Sequence, residues 1–152
     1  MNADVFNLEF LKLDVLRPEI QAFFTGFPIT LLHAFATLIL LLVGSSIYAF
    51  LTPYKEIRQI KEGNHAAAVG FGGVILGLAI PLAASMSAST SIREILLWGG
   101  ATIILQLFVF RAVDFALTGL PQRVTEGETA SAVLLVAAKL AASLILAAAV
   151  AG

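Results

Sequence analysis

Four polar side chains interrupt stretches of the sequence that are otherwise almost entirely apolar. Lys139 lies about ten residues inside the last apolar stretch, at a depth similar to that of Gln106, whereas Asp114 and Arg111 lie near the end of the preceding stretch. An ionisable side chain inside a membrane is energetically costly, so these residues are candidates for function. Arg111 and Asp114 are three residues apart and can pair on one helix face. The depths also favour an interhelical set that joins Lys139 to Asp114 or Gln106.

Three interpretations of Lys139 are open from the residues alone. The side chain can belong to a structural polar clasp that fixes a helix bundle, to a proton or ion path, or to a subunit interface. A long side chain can extend toward the membrane surface, but the depth of Lys139 favours a partner or water nearby. A dry clasp would favour a structural role, and a polar cavity filled with water would favour conduction.

The composition identifies lipid as the solvent for most of this surface. Of the 152 residues, 59% are hydrophobic and only 12% are charged, whereas soluble domains carry about 25% charged residues. Four apolar stretches cover residues 27–51, 66–88, 92–117 and 129–151, and each has the roughly 20 residues that a transmembrane helix needs. Because a bilayer core offers the backbone no water, these stretches must be helical. The sequence therefore predicts an all-α integral membrane protein with a bundle of four transmembrane helices.

A short acidic motif occurs twice, at an offset of 64 residues. Glu62-Gly63-Asn64 and Glu126-Gly127-Glu128 each stand directly before an apolar stretch. Because each copy contains two spans, both copies enter the membrane from the same side, unlike the inverted repeats of many transporters. The sequence thus predicts two parallel repeats of a helical hairpin, over residues 27–88 and 89–152, after a short N-terminal interfacial segment over residues 1–26.

The repeated Glu-Gly turns have a structural and a functional interpretation. Glycine permits a sharp turn, Asn64 and either Glu128 or Thr129 can cap the next helix, and acidic side chains favour a helix N-terminus. Alternatively, two related acidic turns meet at one membrane face and bind a cation or a partner. The residue that corresponds to Lys139 in the first copy is Ile75, so a symmetric pore lined equally by both hairpins is disfavoured.

Small residues predict which helices lie at the centre of the bundle. The second span contains Gly70, Gly73 and Gly77, and the fourth contains Ala138 and Ala142. Small residues let membrane helices approach closely where lipid supplies no hydrophobic driving force. We therefore expect the second and fourth spans to pack together, and we expect so small a chain to form a homo-oligomer in the lipid bilayer.

The distribution of basic residues predicts the orientation. Lys and Arg residues in short loops favour the cytoplasmic side, and more of them lie beside the Glu-Gly turns than on the opposite side. The two sets are Lys55, Arg58, Lys61 and Arg123 against Lys12, Arg17 and Arg93. We expect the turns in the cytoplasm and both termini in the periplasm.

The first 26 residues are expected to lie at the membrane surface. They lack the basic start and the small-residue cleavage site of a secretory signal, so we expect them to be retained. Aromatic rings favour the headgroup region, which predicts that position for Phe23, Phe24 and Phe27.

Several of these motifs resemble a known family. Thr52-Pro53-Tyr54, residues 60–68, Trp98, Gln106 and Glu126-Gly127-Glu128 are similar to the DUF350 family of bacterial inner-membrane proteins, also called UPF0719. The resemblance covers about residues 27–152. It implies a duplicated two-span unit and a bacterial inner-membrane location. It implies no activity, because the family is defined by a domain of unknown function.

The residues favour a protein without enzymatic activity. The sequence has no Ser-His-acid set, no glycine loop for phosphate and no cluster of metal ligands, so we expect no catalytic site, metal or cofactor. A net charge of −1 gives no attraction to nucleic acid. The charged loop over residues 54–64 favours a membrane scaffold that binds a cytoplasmic protein partner. The alternative is a small channel or transporter for ions, protons or solutes, with Lys139 as its charged element.

Overall fold

The computed structural model describes residues 18–152, and predictions that concern Lys12 and Arg17 lie outside the described part. Residues 18–152 form six helices: α1 Pro18–Leu51, α2 Glu56–Lys61, α3 His65–Ala88, α4 Ile92–Ala116, α5 Leu120–Thr125 and α6 Thr129–Ala151. No strand forms within residues 18–152. Four helices are long and apolar enough to cross a membrane, namely α1 from Ile20, α3, α4 and α6. The predicted all-α class with four membrane-crossing helices is confirmed.

The first helix begins earlier than the apolar pattern predicts. Helix α1 begins at Pro18 and includes Gly26 and Pro28, so it extends across the predicted boundary between residues 26 and 27. Proline suits the first turn of a helix because an N–H there would have no partner within the helix. Membrane helices also tolerate internal glycine and proline. The interfacial segment expected over residues 1–26 therefore shares its last residues with a helix.

The chain divides into two compact units, and the first ends at Leu32. The described part of this unit carries three exposed phenylalanines. The rings of Phe23 and Phe27 stack with their centroids 4.9 Å apart, and Phe24 meets Phe23 edge-on. Such a cluster suits a headgroup region, and its location there stays a prediction.

The second unit, His33–Gly152, is built around the contact between α3 and α6, which is more extensive than that of any other helix pair. A Cβ added at Gly73 would collide with Val136 of α6, and one added at Gly77 would lie 2.9 Å from the Ser143 Oγ. The second and fourth spans thus pack together, as the small residues predict. Three other predicted packing positions are half-buried: Gly70, Ala138 and Ala142.

The two Glu-Gly turns have nearly identical backbones. Gly63 and Gly127 have φ angles of 91° and 90°, a left-handed conformation that glycine adopts without steric cost. Each turn joins a short helix to a long one. The short helices start at positions 56 and 120 and the long ones at 65 and 129, an offset of 64 in both cases. These matches favour the predicted duplication, which stays a prediction.

The helices after the two turns begin with different contacts. The Asn64 side chain caps α3 and accepts a hydrogen bond from the Ala67 backbone N–H at 3.0 Å. Glu128 occupies the corresponding position before α6 and makes no capping bond. Its carboxylate instead pairs with the Arg123 guanidinium. A side chain therefore caps the helix after the first turn but not the helix after the second.

Candidate functional site

The centre of the candidate site is the ammonium group of Lys139, which α6 holds inside the second unit. Lys139 is 2% exposed. Its Nζ lies 2.8 Å from the Asp114 Oδ1 and donates a hydrogen bond to the Tyr48 hydroxyl at 3.0 Å. An isolated buried charge is very costly, so a lysine at this depth requires such partners. The structure thus joins α1, α4 and α6 through one side chain.

Two aromatic rings complete the surroundings of the ammonium group. The Lys139 Nζ lies 5.1 Å from the ring centroid of Tyr48 and 5.4 Å from that of Phe110. Phe110 is fully buried and packs edge-on against Tyr48. A cation within about 6 Å of an aromatic ring is attracted by the ring quadrupole. The charge of Lys139 is therefore stabilised by the Asp114 carboxylate and the Tyr48 hydroxyl, with the Phe110 ring nearby.

Gln106 belongs to the same polar set, but it does not contact the ammonium group. Its Nε2 donates to the Ser143 Oγ at 2.6 Å, and that hydroxyl donates to the Lys139 backbone carbonyl at 2.7 Å. Gln106 is fully buried, and its Oε1 has no hydrogen-bond partner within the described residues. Gln106 therefore fixes α4 against α6 one helical turn from the charge.

Arg111 lies apart from this set. Arg111 is exposed, and within residues 18–152 no ion pair joins it to Asp114. Asp114 instead pairs with Lys139, and its side chain is 12% exposed. The physical reason is that a buried ammonium gains more from a carboxylate than an exposed guanidinium does, because solvent screens the exposed charge.

Glu56, the first residue of α2, is a second carboxyl near Lys139 and Asp114. One of its oxygens, Oε2, is buried and has no hydrogen-bond partner within the described residues. Burial raises the pKa of the Glu56 carboxyl, whereas the hydrogen bond with Tyr48 and the charge of Lys139 lower it. The structure therefore places two carboxyls and one ammonium in a single site.

A small cavity connects these groups. Its volume is about 30 Å³, which is enough for at least one water molecule. Residues from α1 to α6 surround it, and the polar ones are Tyr48, Tyr54, Glu56, Gln59, Asp114, Thr125 and Lys139. The cavity thus has room for about one water molecule, which is too little for a wide aqueous path.

Sequence reasoning missed three members of the set, namely Tyr48, Glu56 and Ser143. Tyr48 follows an apolar run, and Glu56 belongs to a loop that is interpreted as surface. The offset of 64 residues supplies a signal, because Ala112 and Leu120 occupy the positions that correspond to Tyr48 and Glu56. A polar residue in one copy against an apolar one in the other marks Tyr48 and Glu56 as it marks Lys139.

The two Glu-Gly turns lie side by side. The Asn64 amide donates to the backbone carbonyls of Val124 and Thr125 at 3.2 and 3.1 Å. Glu62 and Glu128 are each held by an arginine, Arg58 and Arg123 respectively. Glu126 and both turn glycines are exposed. No group of three His, Asp or Glu residues within residues 18–152 is arranged to hold a metal.

The two short helices beside these turns differ in burial. Helix α5 buries Pro121 and Val124, whereas α2 has no buried residue. The positions that correspond to them at the 64-residue offset are Ile57 and Ile60. Ile57 is 47% exposed, and Ile60 is half-buried. The same backbone element thus packs inward in one copy and presents an apolar side chain outward in the other.

Comparison with known proteins identifies a family. Residues 22–150 match DUF350, which is described as a Domain of Unknown Function. Over 95 residues the chain is 35% identical to the UPF0719 inner membrane protein YjfL of Escherichia coli strain K12, covering 62% of this chain and 72% of that protein. Over 70 residues it is 30% identical to the UPF0719 transmembrane protein YshE of Bacillus subtilis strain 168, covering 46% of this chain and 52% of that protein. No solved structure matches the chain. The motifs and the helical bundle have the same explanation: the chain belongs to the DUF350 family.

Proposed function

We propose that this protein is a non-enzymatic membrane scaffold that binds a protein partner through the outer face of α2. The observation that carries the proposal is the contrast between α2 and α5. Pro121 and Val124 of α5 are buried, whereas Ile57 at the position corresponding to Pro121 is 47% exposed. Removing apolar area from water is favourable, so a partner that covers Ile57 would be stabilised there.

The charges around Ile57 favour an acidic partner. Lys55, Arg58 and Lys61 are exposed, and a groove on this side of the protein is lined by them together with Ala49, Glu56 and Ile57. Arg58 is already paired with Glu62 at 2.8 Å, which leaves the two lysines for a partner. An acidic protein segment that carries one apolar side chain fits this arrangement, because complementary charge favours association.

The interior of the bundle supports a structural role for the buried polar groups. Lys139 has Asp114 and Tyr48 as partners, and Gln106 has Ser143. Side chains from α1, α4 and α6 therefore fix one another, which is the arrangement of a polar clasp. Such contacts give a bundle a defined helix arrangement where lipid supplies no driving force.

The location follows from the relatives. YjfL is named an inner membrane protein and YshE a transmembrane protein, so we place this chain in the bacterial inner membrane. The excess of basic residues beside the Glu-Gly turns supports a cytoplasmic position for those turns and α2, with both termini in the periplasm. A homo-oligomer remains our expectation for a chain of this size.

The first experiment tests the partner. The native protein and a variant with Lys55, Arg58 and Lys61 all changed to Gln would be purified from membranes after cross-linking in cells. We expect co-purified proteins that depend on the three basic residues. Arg93→Gln, which alters an exposed basic residue outside the loop, is the matched control and should retain them. Identical protein sets from the native and triple-variant samples would contradict the proposal.

Conduction of protons, ions or small solutes is the second candidate function, and the cavity of about 30 Å³ beside Lys139 favours it. The test is flux into liposomes that contain the native protein or Lys139→Leu. Transport by the native protein that is lost in the variant would support conduction. If the native protein transports neither protons nor K⁺ nor small solutes, the conduction hypothesis is contradicted.

A further inference from the structure

We propose that the Glu56 carboxyl is a proton-binding site that opens toward the Glu-Gly turns and is electrostatically coupled to the Lys139–Asp114 ion pair. The ligand is a single proton supplied by water, which binds at a carboxylate oxygen and converts the carboxylate into a carboxylic acid. The site does not depend on a protein partner or on transport, so its test is separate from those of the proposed function.

The charges of the site support this inference. Asp114 on α4 and Lys139 on α6 neutralise each other at 2.8 Å. An ionised Glu56 adds a negative charge that no second ammonium or guanidinium lining the cavity balances. In a partly buried site such an excess charge is costly, and binding a proton removes it.

The groups that titrate around the cavity come from four parts of the chain. The titratable groups facing Glu56 are Tyr48 on α1, Tyr54 before α2, Asp114 on α4 and Lys139 on α6. Helices α3 and α5 contribute only residues that do not titrate: Ala67, Gly70, Pro121, Val124 and Thr125. Lys55, Arg58 and Lys61 share a groove with Glu56, but all three are exposed, so solvent screens their charges. Glu56 therefore responds mainly to one like charge, one opposite charge and one hydroxyl.

Ion pairing distinguishes Glu56 from Asp114 as the group that binds the proton. The Asp114 Oδ1 lies 2.8 Å from the Lys139 Nζ, so the charge of Asp114 is already balanced by an ion pair. In the described part of the chain the Glu56 Oε2 and the Asp114 Oδ1 are both buried without a hydrogen-bond partner, but no ion pair is formed by Glu56 there. Burial raises the pKa of Glu56, which agrees with protonation at this carboxyl.

The arrangement of the core determines the side from which the proton arrives. Glu56 starts α2 beyond the end of the first span and is partly exposed. On the opposite side of Lys139, the interior is filled by Leu78 and Phe110, both fully buried. A Cβ added at Gly77 would clash with Phe110, so the packing there leaves no room. Exchange with water therefore occurs from the turn side.

The test is an infrared titration of the full chain in lipid, because the C=O stretch of a carboxylic acid is distinct from the bands of a carboxylate. We expect the native protein to show a carboxylic acid signal whose midpoint lies above the usual glutamate value of about 4.3. Glu56→Gln should remove that signal, and Glu62→Gln at the exposed end of the same helix should retain it. A native protein without such a signal, or a signal unchanged in Glu56→Gln, would overturn the proposal.

Three variants that keep Glu56 test the coupling without removing the site. Asp114→Asn removes a like charge and frees Lys139, so the midpoint should fall. Lys139→Gln and Tyr48→Phe remove groups that stabilise the carboxylate, so the midpoint should rise. A midpoint that stays constant in all three would refute the coupling, even if one variant folds poorly.

A final experiment tests whether the ligand is a proton or a small metal cation. The titration is repeated with Na⁺ or K⁺ replaced by choline at constant ionic strength. A midpoint that is the same in all three salts supports proton binding alone. A midpoint that falls specifically as Na⁺ or K⁺ rises would assign the site to that cation and overturn the proton assignment.

Discussion

The two copies of the predicted repeat share a backbone plan but differ in where they place polar side chains. The site residues are Tyr48, Glu56, Gln106, Asp114, Lys139 and Ser143, and the residues 64 positions away from them are Ala112, Leu120, Leu42, Phe50, Ile75 and Ala79. Each polar residue thus corresponds to an apolar one. If the predicted duplication is correct, one copy of each pair carries the polar side chain and the other an apolar one.

Burial explains why the difference is tolerated. Asp114 is 12% exposed and pairs with a buried lysine, whereas Phe50 at the corresponding position is 89% exposed and Leu42, which corresponds to Gln106, is 68% exposed. Exposed positions on membrane-crossing helices face lipid, where apolar residues carry no desolvation cost. Both sets therefore suit their surroundings, and only one can bind or move charge.

The largest loss of stability should come from breaking the ion pair between Lys139 and Asp114. Lys139→Leu leaves Asp114 as an unpaired buried charge, and loss of one partner in a buried pair costs about 3–5 kcal/mol. The free energy of unfolding in micelles measures it. Changing both Lys139 and Asp114 to Leu should restore most of the loss, and Ile75→Leu at the corresponding position should cost less than about 1.5 kcal/mol. A single variant as stable as the double variant would contradict the clasp.

The Tyr48 hydroxyl should make the next largest contribution. Tyr48→Phe removes the acceptor that lies 3.0 Å from the Lys139 Nζ, and hydrogen bonds to charged groups contribute about 1.5–3 kcal/mol. Tyr54→Phe, which removes another hydroxyl beside the cavity, is the matched control. If both variants lose the same stability, the hydrogen bond to Lys139 has no special role.

Changing Gly77 to the residue of the other copy should reduce the stability by a smaller amount. The corresponding residue is Ala141, but a Cβ at position 77 would lie 2.7 Å from the Phe110 Cζ. Gly77→Ala should therefore destabilise the bundle by about 1–3 kcal/mol, as overpacking does. Gly72→Ala, which has no neighbour within 4 Å of the added atom, should be neutral or slightly stabilising. Equal unfolding free energies for the two variants would refute the close approach of the helices.

The smallest expected effect is a change in how the stability depends on pH. Because burial raises the pKa of Glu56 in the folded chain, the folded state binds the proton more tightly than the unfolded state does. The resulting stability is fully present below the usual glutamate pKa of about 4.3 and is lost as the pH rises through the folded value. Leu120, at the corresponding position in the other copy, does not titrate and makes no pH-dependent contribution to stability. Glu56→Gln should flatten the pH dependence of the unfolding midpoint in this window, and an unchanged slope would contradict the assignment.

The sequence predicts the four membrane-crossing helices and the α3–α6 contact well because both follow from local composition. Apolar runs of sufficient length and glycines at Gly73 and Gly77 require no knowledge of distant residues. The pairing of Lys139 with Asp114 is among the predicted alternatives, since depth along a helix can be counted. Tyr48 and Glu56 are missed because their surroundings come from distant parts of the chain, which no local pattern specifies. Tyr48 packs against Val74, Leu78 and Phe110, and Glu56 lies beside Asp114 and Lys139.

The most direct test of the account uses a photo-crosslinking amino acid at two related places. Position 57 lies on the uncovered face of α2, and Gln122 is an exposed residue of α5. Each single-site variant would be irradiated in its native membrane and its adducts identified by mass spectrometry. We predict a specific protein adduct from position 57, which is lost when Lys55 and Lys61 are changed to Gln. Position 122 should give no such adduct. Only lipid adducts at position 57, or the same protein adducts at both positions, would contradict it.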